Sequence, residues 1–487
     1  MTERRPYTPR PYQPLMGEHI INHPRCAVWA GMGLGKGVGT LTALDELSIV
    51  EDVYPALVVG PLRVARDVWP RECEKWDHLA HLTCVPIIGN PEERLSAIRV
   101  ESSIYSINYE NLPWLLAYWG EDRWPYKTVI SDESTKLKGY RGSYRTHPVT
   151  GKVFLQGAGG ARTRALAKVT HGGVVTRFIQ LTGTPAPNGL KDLWGQIWFL
   201  DSGARLGRTY EGFTDRWFSS KRNGPSVQYT PTKSADREIH EKVADLCLTI
   251  DAKDYFDLKQ PIVNNIMVVL PATARKHYKE MEKDMFTSLG EDTVEAFGAA
   301  ARTQKCLQLA NGAVYVDPEA TTDAHPKSRK WSQVHDAKME ALDSCIEEAC
   351  GAPMIVSYEF RSDLARILKA YPKAVDLSTP TGMKQFLKGD VAVGLGHPQS
   401  IGHGVDGLQD VCNIITFFGH NWNLETYDQI IGRIGPVRQI QAGFDRPVFI
   451  NHIIAADTVD ELVMERRDGK REVQDILLDA MKRRGAR

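Results

Sequence analysis

Residues Cys26 to Leu44 read CAVWAGMGLGKGVGTLTAL. The order is an apolar run, a glycine-rich loop reaching Lys36, and an amphipathic stretch, which is how a strand, an anion-binding loop and a helix look in sequence. Successive backbone amides of Gly31, Met32, Gly33, Leu34 and Gly35 form a nest at the start of such a helix, Lys36 adds a point charge, and Gly37 and Val38 begin the first turn. Polyphosphate is the ligand this chemistry fits. Position 37 is unusual, because a Ser or Thr hydroxyl there normally ligates the magnesium that accompanies a nucleotide. Thr40 lies about one turn further along, too distant to substitute. Alone, the loop is a weak signal: a flexible strand-to-helix turn reads the same way.

A second group of candidates is VISDESTKLKG, where Asp132 and Glu133 close another apolar run. Paired acids there suit metal-assisted phosphoryl transfer: one carboxylate holds magnesium and the next polarises the attacking water. Acids at a strand end are common in isolation. With Lys36 upstream in the same unit they gain weight.

These residues need a scaffold, and the apolar runs describe one. ALVVGPL, SIYSINYENL, TVISDES and FIQLTGTP alternate with helical stretches in the first half, and PMIVSYEF, VAVGLGH, NIITFFGH and PVFINHIIA do so in the second. Such alternation predicts mostly parallel sheets with helices on both faces, with ligands at the carboxyl ends of strands. Between them, from about Leu246 to Arg329, the sequence turns polar and helix-rich, as in ARKHYKEMEKDMFTSL. At 487 residues two or three domains are expected. The balance of 60 basic and 60 acidic residues excludes a global positive field, so any nucleic-acid contact must be local. The eight cysteines are scattered without CxxC or Cys/His spacing, which argues against a disulfide framework or a structural metal. No signal peptide or apolar run of membrane-spanning length is visible, and a cytoplasmic protein without membrane contact is expected.

LTGTPAPNGLKDLWGQIWFLD, taken with AGMGLGK, DEST and WNLETYDQIIGRIGPVRQ, resembles the ATPase motor of helicase superfamily 2, specifically its Swi/Snf-like branch and its compact phage-encoded members. The resemblance runs from RPYQ to Gln439, with ALVVGPLRVARDVWPRECEKW similar to motif Ia, INYENL to motif Ib and SIGHGVDGLQ to motif V. It implies ATP and Mg2+ as ligands, Tyr12 and Gln13 as an adenine-recognising Q motif, Lys36 on phosphate, Asp132 on the metal and Glu133 activating water. Thr182, Gly183 and Thr184 would couple hydrolysis to movement, and Gln429 and Arg433 would reach the γ-phosphate from a second domain. The family's second arginine falls three residues after the first, where this chain has Pro436, so either Arg438 supplies the finger, the reading that an unusual turn in IGPVR favours, or Arg433 works with less help. Gly37 leaves nucleotide binding expected and hydrolysis slower than in relatives with a hydroxyl.

The polymer is read from Ser134 to Leu190, which contains no acid but carries Lys136, Lys138, Arg141, Arg145, Lys152, Arg162, Arg164, Lys168 and Arg177. A one-sign run suits a phosphate backbone, and a solvated loop reads the same way. Lys136, Lys138, Arg141, Arg145 and Lys152 are the nucleic-acid candidates. THPVTGKVFLQGAGG within the run predicts a hairpin turning at Thr150 and Gly151. The resemblance favours duplex or branched DNA over RNA and leaves protein partners open, with a monomer expected when free. His403 and Asp406 give too few ligands for a metal site, and Trp194 and Trp198 read as core anchors.

The expected fold is α/β: two RecA-like domains over residues 1–245, with a basic insertion at about 139–176, and 331–487, ending in a basic helix, with a linker and helical segment over 246–330. The expected function is an ATP-dependent DNA translocase or helicase. An ATP-responsive DNA-binding or scaffolding module with weakened hydrolysis is the alternative.

Overall fold

The computed structural model describes residues 4–146, 153–156, 159–223, 226–287, 304–315, 330–402 and 405–469. Two compact units emerge, Met1–Arg222 with Val227–Asp257, and Leu258–Gly469.

The strands of the first unit are β1 (Arg25–Ala30), β2 (Ala56–Gly60), β3 (Cys84–Pro86), β4 (Ile104–Asn108), β5 (Thr128–Asp132), β6 (Ser143–Thr146), β7 (Val153–Gln156), β8 (Arg177–Thr182), β9 (Phe218–Asn223), β10 (Ser226–Pro231) and β11 (Cys247–Ile250). Seven of them form one sheet in the order β11-β1-β8-β5-β2-β4-β3, parallel throughout. Strands β2, β4 and β8 are buried along their whole length. Helices cover both faces of such a sheet, which is why these strands read as continuous apolar runs without alternation. Trp29, Leu57, Val59, Ile107, Val129 and Phe178 share a core with Trp194 and Trp198 of the helix Leu193–Asp201, both of them buried as expected. Full burial of such side chains stabilises by roughly 1.5–3 kcal/mol each. Strands β6 and β7 pair antiparallel, Ser143 opposite Gln156 and Thr146 opposite Val153, as the hairpin reading requires. Its expected turn at Thr150 and Gly151 lies outside the described residues.

The second unit contains β12 (Ile262–Val268), β13 (Ala313–Tyr315), β14 (Trp331–Gln333), β15 (Met354–Ser357), β16 (Val375–Asp376), β17 (Val393–Gly396), β18 (Ile414–Phe417) and β19 (Phe449–Ala455). Its sheet runs β12-β19-β18-β15-β17-β16, again parallel. Both units are therefore RecA-like α/β layers.

The polar stretch after Leu246 does contain the helix Ala272–Thr287. It also supplies an edge strand to each sheet, β11 beside β1 and β12 beside β19. Neither shows a strand signal in sequence: β11 has four residues, and β12, IVNNIMV, leaves most of its length exposed. The open edge of a neighbouring strand decides such pairings more than propensity does. Residues 459–469 are helical, and the basic end expected of that helix lies outside the described residues. Among the described residues no helix is long and apolar enough to cross a membrane.

Candidate active site

Strand β8 sits between β1 and β5, with Trp29 opposite Thr182 and Asp132 opposite Leu181. The carboxyl ends of three strands thereby deliver the glycine loop, the acid pair and the TGT turn to one edge of the sheet. Gly33 and Gly35 have φ of 80° and 71°, a region that favours glycine. Gly35 has a second constraint: a side chain there would collide with the Gln13 amide. The Lys36 ammonium donates to the carbonyls of Ala30 (2.7 Å) and Gly31 (3.1 Å) and begins the helix Lys36–Leu47. Leu34 and Val38 are buried beneath the loop, while Gly31 and Met32 are half-buried.

Gln13 is buried, and its Oε1 accepts from the Arg10 amide (2.8 Å) and the Tyr7 hydroxyl (3.2 Å). Its carbonyl thus anchors the preceding segment while its amide nitrogen rests on the loop. The Tyr12 ring lies in the core, edge-on to Tyr255 and Phe256 at 5.1 and 6.1 Å between centroids. Arg10 places its guanidinium 5.5 Å from the Phe256 ring centre, a neighbour that no local pattern announced.

The acid pair is held by residues from two other strand ends. Trp69 Nε1 donates to Asp132 Oδ2 at 2.9 Å, and the Glu133 amide donates to Oδ1 at 3.0 Å. The Tyr109 hydroxyl donates to the Asp132 carbonyl at 2.9 Å and lies 2.7 Å from Ser131 Oγ. Glu133 adopts φ 53°, ψ 56°, left-handed backbone that costs about 1–2 kcal/mol in a residue with a Cβ and is characteristic of functional sites. Burial pushes the Asp132 carboxyl above the ordinary aspartate range, and the Lys36 charge, the Trp69 indole and the Glu133 amide pull it back. The lysine and the acid pair therefore act on one another. Thr182 Oγ1 accepts from the Thr184 amide at 3.1 Å, and a Cβ at Gly183 would lie 3.4 Å from the Ala30 carbonyl oxygen and 3.5 Å from Gly31 Cα. The TGT turn packs directly on the start of the loop.

Gly37 has a structural partner. A Cβ there would lie 3.3 Å from Cγ and 3.7 Å from Cδ of Glu72, whose Oε1 accepts from Trp76 Nε1 at 2.8 Å. Thr40, further down the same helix, is fully buried.

In the second unit, Gln429 and Arg433 lie on the helix Leu424–Ile434 and Arg438 on the next, Pro436–Gln441. Gln429 is buried against Gly402. Arg433 donates to the Gly402 carbonyl from Nε (2.9 Å) and Nη2 (2.5 Å), and from Nη1 to Val405 (2.8 Å). It ties together the two sides of a loop whose centre, including His403, lies outside the described residues. Gly435 is extended (φ −65°, ψ 169°) between the helices, and Pro436 opens the second, so the arginine spacing reflects a helix break. Arg438 pairs with Asp406 at 3.0 Å.

The basic run divides in space. Lys136 and Lys138 are half-buried at the turn that follows the acid pair. Arg141 stacks 3.7 Å from the Tyr210 ring centre and donates to the Lys138 and Tyr140 carbonyls, both at 2.6 Å. Arg145 lies on β6, and Lys152 is outside the described residues. Arg162 pairs with Glu110 (2.9 Å) and Lys168 with Glu121 (3.1 Å). Arg177 points inward, to Glu51 at 2.8 Å and to the Ile20 and Ile21 carbonyls at 2.9 and 3.2 Å. The run contains no acid in sequence, yet acids from elsewhere in the chain neutralise part of it.

Among the described residues no three His, Cys, Asp or Glu side chains converge on a metal position. Magnesium needs no such cage, because it keeps waters and takes one or two carboxylates together with phosphate oxygens. A glycine loop with left-handed Gly33 and Gly35, a lysine and a carboxylate fixed at both oxygens fit a magnesium polyphosphate.

Such a loop and acid pair at the carboxyl edge of one RecA-like sheet, with a second RecA-like unit following, define a two-unit P-loop core. No family model matches the chain. It is 48% identical over 484 residues to protein p41 of Acyrthosiphon pisum secondary endosymbiont phage 1, covering 98% of this chain and 99% of that one. Identity to the nuclear protein STH1/NPS1 of Saccharomyces cerevisiae is 23% over 297 residues, 59% of this chain and 20% of that protein. A solved Sulfolobus solfataricus SWI2/SNF2 ATPase core in complex with dsDNA aligns over 97% of this chain and 93% of that one, with 19% identity and a TM-score of 0.42. The chain belongs to the Swi/Snf-like branch of helicase superfamily 2, together with phage protein p41.

Proposed function

We propose that this protein is a DNA-dependent ATPase that translocates on DNA, acting in the host cytoplasm in phage DNA replication, recombination or repair. The observation that carries the reading is the acid turn at Asp132 and Glu133, strained, anchored at both carboxylate oxygens of Asp132 and electrostatically linked to Lys36. Family membership supports it, and the acid-free basic run from Ser134 to Leu190 together with the Swi/Snf-like motifs motivates the choice of polymer.

On this reading the loop amides from Gly31 to Gly35 and the Lys36 ammonium bind the nucleotide phosphates, and Asp132 holds magnesium. Magnesium supplies charge neutralisation at the phosphates. Glu133 accepts a proton from the attacking water, and its constrained backbone fixes where that carboxylate points. Gln13, with its carbonyl engaged by Arg10 and Tyr7, sets the loop as much as it reads a base. Thr182 and Thr184 join the loop to the rest of the unit. Gln429, Arg433 and Arg438 are the second unit's candidates for nucleotide contact, as the family resemblance implies, and Lys136, Lys138, Arg141, Arg145 and Lys152 contribute to the DNA surface.

ATP hydrolysis measured at fixed salt with no polymer, single-stranded DNA, duplex DNA, branched DNA and RNA tests the proposal. Stimulation by duplex or branched DNA is expected. Equal rates in all five reactions would remove the motor reading.

A further inference from the structure

We infer that Trp69 and Tyr109 are positioning residues for the acid turn, Trp69 setting the metal-holding carboxylate and Tyr109 setting the backbone from which Glu133 projects. The inference rests on the nucleotide-site reading and deepens it.

Trp69 is 1% exposed, so its indole N–H gains a full partner only by reaching another buried group. That partner is Asp132 Oδ2 at 2.9 Å, across 63 residues of sequence. A π-helical turn, Val64–Val68, precedes Trp69 and widens the chain as it leaves β2. Such turns recur at functional sites, where the extra residue redirects a side chain. Pro70 follows in the same continuous helical run, where its missing N–H leaves the Ala65 carbonyl without a helical donor, and the Ser106 hydroxyl donates to that carbonyl instead at 2.6 Å. With Oδ2 held by Trp69 and Oδ1 by the Glu133 amide, the carboxylate plane cannot rotate without losing a bond to a buried donor.

Tyr109 approaches from the end of β4, also 1% exposed. Its hydroxyl reaches the Asp132 carbonyl and Ser131 Oγ, which fixes the peptide that precedes Glu133. Glu133 is left-handed there, a conformation that persists only where surrounding contacts over-determine it. The two aromatic donors divide the task. One orients a side chain, and the other holds a strained peptide.

The test uses Trp69→Phe, which keeps an aromatic ring and removes the N–H donor, and Trp124→Phe as a control. Trp124 is a buried indole of the same unit, and its Nε1 has no hydrogen-bond partner among the described residues. Binding of a non-hydrolysable ATP analogue is titrated by calorimetry across magnesium concentrations and in EDTA. Trp69→Phe should raise the magnesium concentration at half-effect about tenfold, the scale of a lost hydrogen bond to a charged group, and leave affinity in EDTA unchanged. Trp124→Phe should match the wild type in both. Tyr109→Phe should leave the magnesium half-point in place and lower kcat at unchanged KM. A Trp69→Phe half-point equal to that of the wild type, in a protein as folded as the control, overturns the role of Trp69. A fall in KM affinity for Tyr109→Phe with kcat intact overturns that of Tyr109. Wild-type protein that fails to bind the analogue overturns the nucleotide reading itself, a result separate from both.

Discussion

Replacing Gly37 by Thr returns the hydroxyl that the phosphate loop lacks, and the structure indicates what stands in the way. The new Cβ would lie 3.3 Å from Glu72 Cγ, closer than side chains normally pack, and Glu72 is anchored by the Trp76 indole at 2.8 Å. Forcing extra atoms into a packed site costs about 1–3 kcal/mol. Gly to Thr in a helix recovers only a few tenths of a kcal/mol, and less in the first turn. The single substitution is therefore expected to destabilise by about 1 kcal/mol, or roughly 2–4 °C in Tm for a domain of this size. In a Glu72→Ala background the space opens, and Gly37→Thr should become neutral or stabilising. The double-mutant cycle should give a coupling of about 1–2 kcal/mol. Thermal melts of the four proteins measure it, and magnesium titration of analogue binding shows whether the hydroxyl is used: the half-point should fall for Gly37→Thr with Glu72→Ala more than for Gly37→Thr alone. Additive effects on Tm, with no coupling between positions 37 and 72, would refute the claim that Glu72 fills the space of the missing side chain.

Glu133→Gln should retain ATP binding and lose nearly all turnover, checked by equilibrium binding beside steady-state hydrolysis; unchanged turnover removes Glu133 as the water-activating base. Replacing Arg141, Arg145 and Lys152 together by Ala should weaken DNA binding irrespective of sequence and flatten its salt dependence, read from affinity at several salt concentrations. Arg177→Ala should destabilise by about 3 kcal/mol in a denaturant titration, since it strips two backbone carbonyls and Glu51 of a buried partner, and should leave the salt slope of DNA binding unchanged. In the second unit, burial pushes the Glu359 carboxyl up to about 7, with Asn421 and Arg467 opposing and Asp363 reinforcing the rise. A raised folded value means the native state binds the extra proton, so its contribution is complete below the unfolded value of 4.5 and is lost as pH rises towards 7. Stability measured between those values should fall with pH by an amount on the order of 1–3 kcal/mol, and Glu359→Gln should reduce the slope, the remainder belonging to Asp363, whose carboxyl burial pushes up to about 6.

What could be read without the structure was whatever a residue announces through its immediate neighbours. AVW, ALVVG and FIQLT announce buried parallel strands because both of their faces are covered, and GMGLGK and SDES announce a loop and an acid pair because the chemistry is packed into a few consecutive positions. The edge strand IVNNIMV announced nothing, since exposure on an outer strand permits asparagines that a central strand would reject. Charge misled for a related reason. Arg177 belongs to an unbroken basic run in sequence, yet its partner Glu51 lies 126 residues away and both reach the same place only through the strand order.

The glycine after Lys36 shows the same limit at the site itself. Within the loop it is a missing metal ligand. Across the fold it is the counterpart of Glu72, which arrives on the helix that also brings Trp69 to Asp132. One short helix after β2 thus supplies both the side chain that crowds position 37 and the indole that orients the metal-holding carboxylate. A change at Gly37 should therefore be felt through that helix at Asp132 as well as at the metal, and Gly37→Thr should shift the magnesium half-point less in a Trp69→Phe background than in the wild type. Equal shifts in the two backgrounds would show that the helix transmits nothing between positions 37 and 132.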